Sequence, residues 1–294
     1  MIIDCHAHIL PPEIVGDLAS FAERDPHFSL LTRTKNARFL TGEDLIRDMD
    51  DQGVDRSIVC GFAFKDTGIS RLQNDYCAEL MRSYPERIAF LAVIDPEAPG
   101  ALAEVERCLS MGACGVGEIF PAGHGFDLQG GGMKKVAGLC REAGAVVLIH
   151  VNELVGHCYP GKGDVGPLAA YRFAVDNPGL TTIFAHFGGG LPFYAAMPEV
   201  KDLGHVYYDN AAQPLLYRPS VYLALKDLGI LDKIMLGSDY PLLTWTRYVK
   251  EIASSGLREG EQEMILGRNA WIVFGKFFRS RAEGNRSQRQ NTLD

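Results

Sequence analysis

The sequence predicts an α/β protein of the (β/α)8 TIM-barrel type, with a long insertion after the first strand and an extra helix near the C-terminus. Three observations point there. Apolar runs of strand length recur along the chain, and each is followed by a stretch whose apolar residues have helical spacing. Eight such pairs fit within 294 residues, which suits a closed ring better than an open sheet. Histidines and carboxylates stand just past the apolar runs, where a barrel would gather them at one mouth.

Met1, Ile2 and Ile3 open the first strand, and His6 and His8 end it. Residues 11–40 form the insertion, in which Phe21, Phe28, Leu30 and Phe39 among charged residues predict a helix and a loop folded over the barrel. Thr41-Gly42-Glu43-Asp44 reads as a capping box with Asp in place of Glu, ahead of the stripe Leu45, Ile46 and Met49. Gly53 stops that helix. Ser57 to Cys60 is the second strand, with Leu72, Tyr76 and Leu80 on the inner face of its helix. Ile88 to Ile94 is the third, ended by Pro96, and Leu102, Val105 and Leu109 mark the helix after it. The alternation continues with Gly115 to Ile119 and a helix from Met133 to Gly144, then Val146 to Ile149 and Val165 to Asn177, then Thr181 to Ala185 and Phe193 to Val200. The last strands are His205 to Tyr208 and Ile234 to Leu236, followed by helices at Tyr217 to Leu228 and Leu243 to Ser254. A further helix from Glu261 to Phe274 closes the ring or packs across it. Residues 1–278 are expected to form one domain, and residues 279–294, almost free of apolar side chains, a mobile polar tail.

Composition narrows the function. The formal charge of −8, from 37 acidic and 29 basic residues, argues against a nucleic-acid partner, which needs a concentrated basic face. Seven cysteines, an odd number without a CxxC pair, read as reduced and mostly buried thiols of a cytoplasmic protein. No run approaches the length of a membrane span, and no basic leader with an apolar stretch opens the chain. The glycine runs at 128–133 and 188–192 match neither a dinucleotide fingerprint nor a P-loop, and Gly188 to Gly190 are read as a close approach of backbone to the site.

The residues that carry chemistry are those at the strand ends. His6 and His8 lie two apart on a strand, so both imidazoles leave the same side and can grip one metal ion. The competing reading is one buried, hydrogen-bonded histidine beside an exposed one. Glu118, His150, His186, Asp209, Asn210 and Asp239 stand past later strands. Singly, His150 could be a core histidine bonded to a carbonyl, and Glu118 or Asp239 a helix cap. Together, imidazoles and carboxylates suit zinc, with manganese or iron as alternatives.

The strings DCHAHILPP at the start, HVNE after strand five, HFGGGLP after strand six and GSDYP after strand eight resemble the metal-dependent amidohydrolase superfamily. More narrowly they resemble the amidohydrolase-related family that includes enzymes like aminocarboxymuconate-semialdehyde decarboxylase. The resemblance runs from Met1 to about Lys276. It implies a (β/α)8 barrel in which His6, His8, His150 and Asp239 are metal ligands, while His186 assists the metal-bound water or the substrate. Relatives with one ion often lack a strand-four ligand, and some with two ions use a lysine or glutamate there. Glu118 stands at that place, and either bridges two ions or bonds a group behind the ligands. The expected cofactor is Zn2+, as one ion or two, with Mn2+ or Fe2+ as alternatives.

The chemistry expected is attack of a metal-activated water on the carbonyl of an ester, lactone or amide, with Asp239 and His186 handling the proton. The alternatives are non-oxidative decarboxylation of an aromatic or unsaturated acid, and a metal-binding barrel without activity. Both reactions favour a small anionic or phenolic substrate. Asn152, His157, Tyr159 and His124 are candidate contacts in the loops after strands four and five. A cationic clamp could come from Arg33, Lys35, Arg38, Lys65, Arg218 or Arg247. For each of these the competing reading is a solvated position. A homodimer is the expected assembly.

Overall fold

Eight parallel strands run in sequential order around the protein in a computed structural model that describes residues 1–34, 37–159 and 162–278. They are β1 (Ile3–His8), β2 (Arg56–Cys60), β3 (Ile88–Ala92), β4 (Gly115–Ile119), β5 (Val146–Ile149), β6 (Thr181–Phe184), β7 (Val206–Asp209) and β8 (Ile234–Met235). The ring closes where the end of the chain meets its start: Cys5 N donates to Leu236 O, Asp239 N to His6 O, and His8 N to Tyr240 O, all within 2.9 Å. The architecture is the (β/α)8 barrel that the alternation predicts.

Two apolar layers follow from strand alternation. Ile3, Cys5, Ile58, Leu91, Leu148, Ile183 and Met235 fill the ring, and Ala270, Val273 and Phe274 plug its lower end. Val59, Phe90, Val147 and Phe184 point the other way and pack under the helices. In β1 this parity breaks. The register against β2 shifts between Asp4 and Ala7, so Ala7 joins the outer layer and His6 and His8 turn into the mouth above Cys5. A local irregularity of this kind re-aims side chains without ending the strand. In β4 a similar shift between Val116 and Ile119 puts both of those residues in the outer layer and frees Glu118 to face inward.

The insertion after β1 holds three short helices, α1 (Pro12–Gly16), α2 (Leu18–Arg24) and α3 (Pro26–Thr32). Asp25 fixes α3: its buried carboxylate accepts from Phe28 N at 2.9 Å and from Lys65 N in the loop after β2 at 3.0 Å. Phe28 then packs with Leu10, Ile14, Phe64 and Ile69 in a core of its own. Next come α4 (Gly42–Gln52), with the expected capping box and Gly53 in the left-handed conformation behind it, α5 (Thr67–Ser83) and α6 (Ala101–Ser110). α7 (Pro121–His124), α8 (Gly131–Glu142) and α9 (Pro167–Asp176) follow the next two strands.

Several expectations need correction. Leu72, expected on the inner face of its helix, is exposed. Met1 is 56% exposed, and the strand starts only at Ile3. The helix expected at Phe193 to Val200 is instead a tight turn of residues 186–194 leading to a short helix, α10 (Pro198–Lys201), because residues 187–190 are left-handed and Pro192 cannot continue a ladder. The helix expected at Tyr217 to Leu228 is split into α11 (Gln213–Leu216) and α12 (Val221–Asp227), with Pro219 in the gap. Farther on, α13 (Trp245–Ala253) packs outside β8, and α14 (Glu259–Glu263) runs through a wider turn, Met264–Arg268, into α15 (Asn269–Phe274). The polar segment 279–294 lies outside the described residues.

Candidate metal centre

Two triads of donor atoms meet at the C-terminal mouth of the barrel. The Nε2 atoms of His6 and His8 are 3.1 Å apart. Asp239 Oδ1 lies 3.3 Å from His8 Nε2 and 3.9 Å from His6 Nε2. Across the mouth, Glu118 Oε1 is 3.0 Å from His150 Nδ1 and 3.6 Å from His186 Nε2, and those nitrogens are 3.2 Å from each other. Glu118 also faces the first triad, with Oε1 3.7 Å from His6 Nε2 and Oε2 3.5 Å from His8 Nε2. Within each triad the donors lie within 4.8 Å of one another.

The hydrogen bonds behind the rings decide which nitrogens face the centre. His6 Nδ1 is 2.9 Å from Asp209 Oδ2, and His8 Nδ1 is 2.9 Å from the Gly61 carbonyl oxygen. Both partners only accept, so both Nδ1 atoms donate, and in the neutral form that binds a metal each ring turns its Nε2 lone pair toward the centre. His186 follows the same logic, its Nδ1 donating to the Ala211 carbonyl at 3.2 Å. Opposed lone pairs repel, and a divalent cation between them turns that repulsion into ligation. His150 Nε2 is buried without a hydrogen-bond partner among the described residues. The donor set therefore fits a metal of the zinc, manganese or iron type.

Electrostatics say the same. Burial opposes charge on His6, but Glu118 and Asp209 overcome it and hold its pKa well above the usual range. His186, also buried, is pushed up to about 9 by Glu118 and Asp239. Burial would raise the Glu118 carboxyl, yet His150 and His6 hold it well below the usual range, and Asp239 falls to about 2 against the same burial through His8 and His6. Positive charge is strongly favoured in this ring of groups.

Carboxylates behind the ring hold it in place. Asp209, at the end of β7, binds His6 through one oxygen and, through the other, accepts from His186 N at 2.9 Å and Ala211 N at 3.0 Å. Asp4 is fully buried and accepts from His6 N, from Ser238 N and Oγ, and from Trp245 Nε1. Four non-glycine residues have positive φ among the described residues: His186, Phe187, Ala212 and Asp239. Two are in the donor ring and Ala212 lines the pocket beside it, the strain expected where packing overrides backbone preference.

Above the ring opens a cavity of about 380 Å3. Its walls are chiefly Leu31, Phe39, Phe62, Phe120, Leu216 and Leu242. Phe62 stacks on His8 at 4.4 Å between ring centres, and Phe120 meets His150 edge-on at 4.4 Å. His27, Thr34, Arg38, His157 and Tyr159 add polar groups to the lining.

The structure thus brings His6, His8, Glu118, His150, His186 and Asp239 together, with His157, Tyr159 and Arg38 at the pocket. Asn152 is buried behind the wall, where its amide bonds Tyr159. Arg218 is exposed, Arg247 pairs with Glu251 in solvent, and neither lines the cavity. Both leave the proposed clamp because each sits on the outward side of its segment. Arg33 and Lys65 are exposed away from the lining, His124 is buried outside it, and Lys35 lies outside the described residues. Sequence reasoning named Asp209 only as one of the strand-end residues and gave no place to Asp4, His27, Phe62 or Phe120. Its strand-end position was the signal, and the other four carried none.

Over residues 3–276 the chain matches the family model described as Amidohydrolase. The chain belongs to the amidohydrolase family. No curated protein matches its sequence. Among solved structures it is similar to 5-carboxyvanillate decarboxylase from Sphingomonas paucimobilis, at 18% identity and a TM-score of 0.73, over 93% of this chain and 98% of that one. It is similar to a probable 2-pyrone-4,6-dicarboxylic acid hydrolase from Acinetobacter baumannii with citric acid bound, at 17% identity and 0.63, over 93% and 99%. A third likeness is to a dihydroxybenzoic acid decarboxylase from Polaromonas sp. with manganese and 2-nitroresorcinol bound, at 18% identity and 0.70, over 95% and 98%. An amidohydrolase barrel with this donor ring is a metal-dependent enzyme of the superfamily. None of its described helices is long and apolar enough to cross a membrane.

Proposed function

We propose that the protein is a hydrolase of small anionic esters, lactones or amides whose site takes two divalent ions. His6, His8 and Asp239 would hold one ion, His150 and His186 the other, and Glu118 would stand between them. The observation that carries this reading is Glu118, an ionised buried carboxylate with an oxygen within 4.0 Å of each of four imidazoles. Zinc is the ion proposed first, then manganese. When bound, such ions polarise a carbonyl and acidify water.

The chain's own groups do the rest. Asp209 and the Gly61 carbonyl keep the His6 and His8 rings in one tautomer and one rotation. Asp239, whose side chain is 23% exposed and lines the pocket, takes the proton of the attacking water at a carboxylate oxygen. Phe39, Phe62 and Phe120 exclude bulk water and accept an apolar body, while Arg38 meets a carboxylate at the rim. Six buried unpaired cysteines support a reducing, cytoplasmic setting.

The largely aromatic and aliphatic wall favours one second reading, non-oxidative decarboxylation of an aromatic acid. Metal analysis of zinc- and manganese-loaded protein, beside assays of lactone and ester hydrolysis and of carbon dioxide release from hydroxybenzoates, separates the two. The hydrolase reading expects two ions per chain, a loss of one in Glu118→Gln, and hydrolysis. One ion with full activity and carbon dioxide as product moves the assignment to the second reading, and protein that binds no metal overturns both.

A further inference from the structure

The loop between β5 and α9 supplies two pocket residues, His157 and Tyr159, although no helix or strand forms among its described residues, 150–159 and 162–166. What ties these two stretches together is a charge kept between them. Lys162 Nζ lies 3.1 Å from Glu153 Oε1, 3.0 Å from the Val155 carbonyl and 3.1 Å from the His157 carbonyl. An ammonium has three N–H donors, and these three acceptors use them all. The pair is nearly enclosed, with the Lys162 and Glu153 side chains 13% and 9% exposed. Removing such charges from water is costly unless every donor and acceptor is matched, as they are here.

Glu153 extends the network into the pocket wall. Its second oxygen accepts from the Tyr159 hydroxyl at 3.2 Å, and that hydroxyl accepts from Asn152 Nδ2 at 3.2 Å. Asn152 Oδ1 accepts from Gly163 N at 2.9 Å, which ties the far side of the loop to the near side. Asn152 itself is held from behind: a Cβ at Gly189 would stand 2.2 Å from its carbonyl oxygen, so the left-handed glycine turn after β6 packs directly on it. The Tyr159 hydroxyl spends its one proton on Glu153 inside the loop, so it has none to donate to a ligand, and the residue meets the pocket with its ring and an acceptor oxygen.

We propose that Lys162 and Glu153 are positioning residues: an internal ammonium clasp that sets where His157 and Tyr159 meet the substrate, without touching it. The proposal rests on the reading of the cavity as a substrate pocket, but its first test does not depend on activity. Hydrogen exchange on metal-loaded protein should show the amides of Asn152 and Gly163, which donate to the Val165 carbonyl and to Asn152 Oδ1, opening at least tenfold faster in Lys162→Met than in the unaltered chain, with β5 and β6 unchanged. In the double variant Glu153→Gln/Lys162→Met exchange should be no faster than in Lys162→Met alone, since the clasp is already lost. With whichever substrate the assays above identify, KM should rise about tenfold while kcat stays within about twofold and bound metal is unchanged. Where Lys162→Met fails to fold, Glu153→Gln gives the same readouts from a neutral, isosteric change. Unaltered exchange at Asn152 and Gly163, or a fall in kcat and metal content at constant KM, overturns the proposal. Failure to find hydrolysis or decarboxylation leaves the exchange result standing and counts only against the assigned reaction.

Discussion

His27 shows how one side chain carries information that its sequence context conceals. It projects from α3 against the Phe120 ring, 4.3 Å between ring centres, and lines the pocket. Burial lowers its pKa to about 4, against the pull of Asp25 and with help from His150 and His124. The folded protein therefore refuses a proton that the unfolded chain accepts below about pH 6.5. Stability is lost as pH falls from that value toward 4, by at most about 3 kcal/mol from this group. Urea unfolding of His27→Phe beside the unaltered protein should show a shallower decline over that interval. Equal slopes would mean that His27 titrates normally. No spacing rule marks this histidine, because its neighbours in the chain are not its neighbours in the fold. His6 and His8 are legible for the opposite reason: their alignment is set by the two-residue period of one strand.

At the level of elements, the decisive join is between β1 and the segment after β8. Asp4 makes it, receiving Ser238 from that segment and Trp245 from α13 while bonding His6 N on its own strand. Asp4→Ala would leave those buried donors without an acceptor, at a cost of about 3–5 kcal/mol. The same change should weaken metal binding, because Asp239 directly follows Ser238. Asp4→Asn, which keeps an acceptor oxygen, should lose less of both. Denaturant titration and chelator competition measure the two effects, and a stable Asp4→Ala variant with normal metal affinity would contradict this assignment. Most elements were readable from hydrophobic period, capping and stop residues, as with Thr41, Asp44 and Gly53 around α4. The segments misjudged, around Gly188 to Gly190 and around Pro219, are those where backbone constraint overrides side-chain period.

For the molecule as a whole, the ring must be plugged below as well as furnished above. Phe274, from α15, is fully buried with Val273 and Ala270 against Ile3, Cys5 and Met235. Phe274→Ala should cost about 3–5 kcal/mol through lost burial and a residual cavity. With about 2–4 °C lost per kcal/mol in a chain of roughly this size, calorimetry should register a fall of several degrees to well over ten. A change below one degree would place the plug elsewhere. This lower face is remote from the donor ring, so metal content should be unaffected.

Taken alone, the sequence determined the class of fold, the succession of strands and the set of residues able to bind a metal. Each of these rests on residue type and on periods that run along the chain. Only the tertiary structure decided that Glu118, in one triad, also faces the histidines of the other, that Arg218 and Arg247 face away, and that an insertion helix delivers His27 and Leu31 to the pocket. Those outcomes depend on register shifts in β1 and β4 and on packing between distant segments. Distances across a barrel mouth are fixed by such long-range contacts, and a one-dimensional pattern of side chains does not contain them.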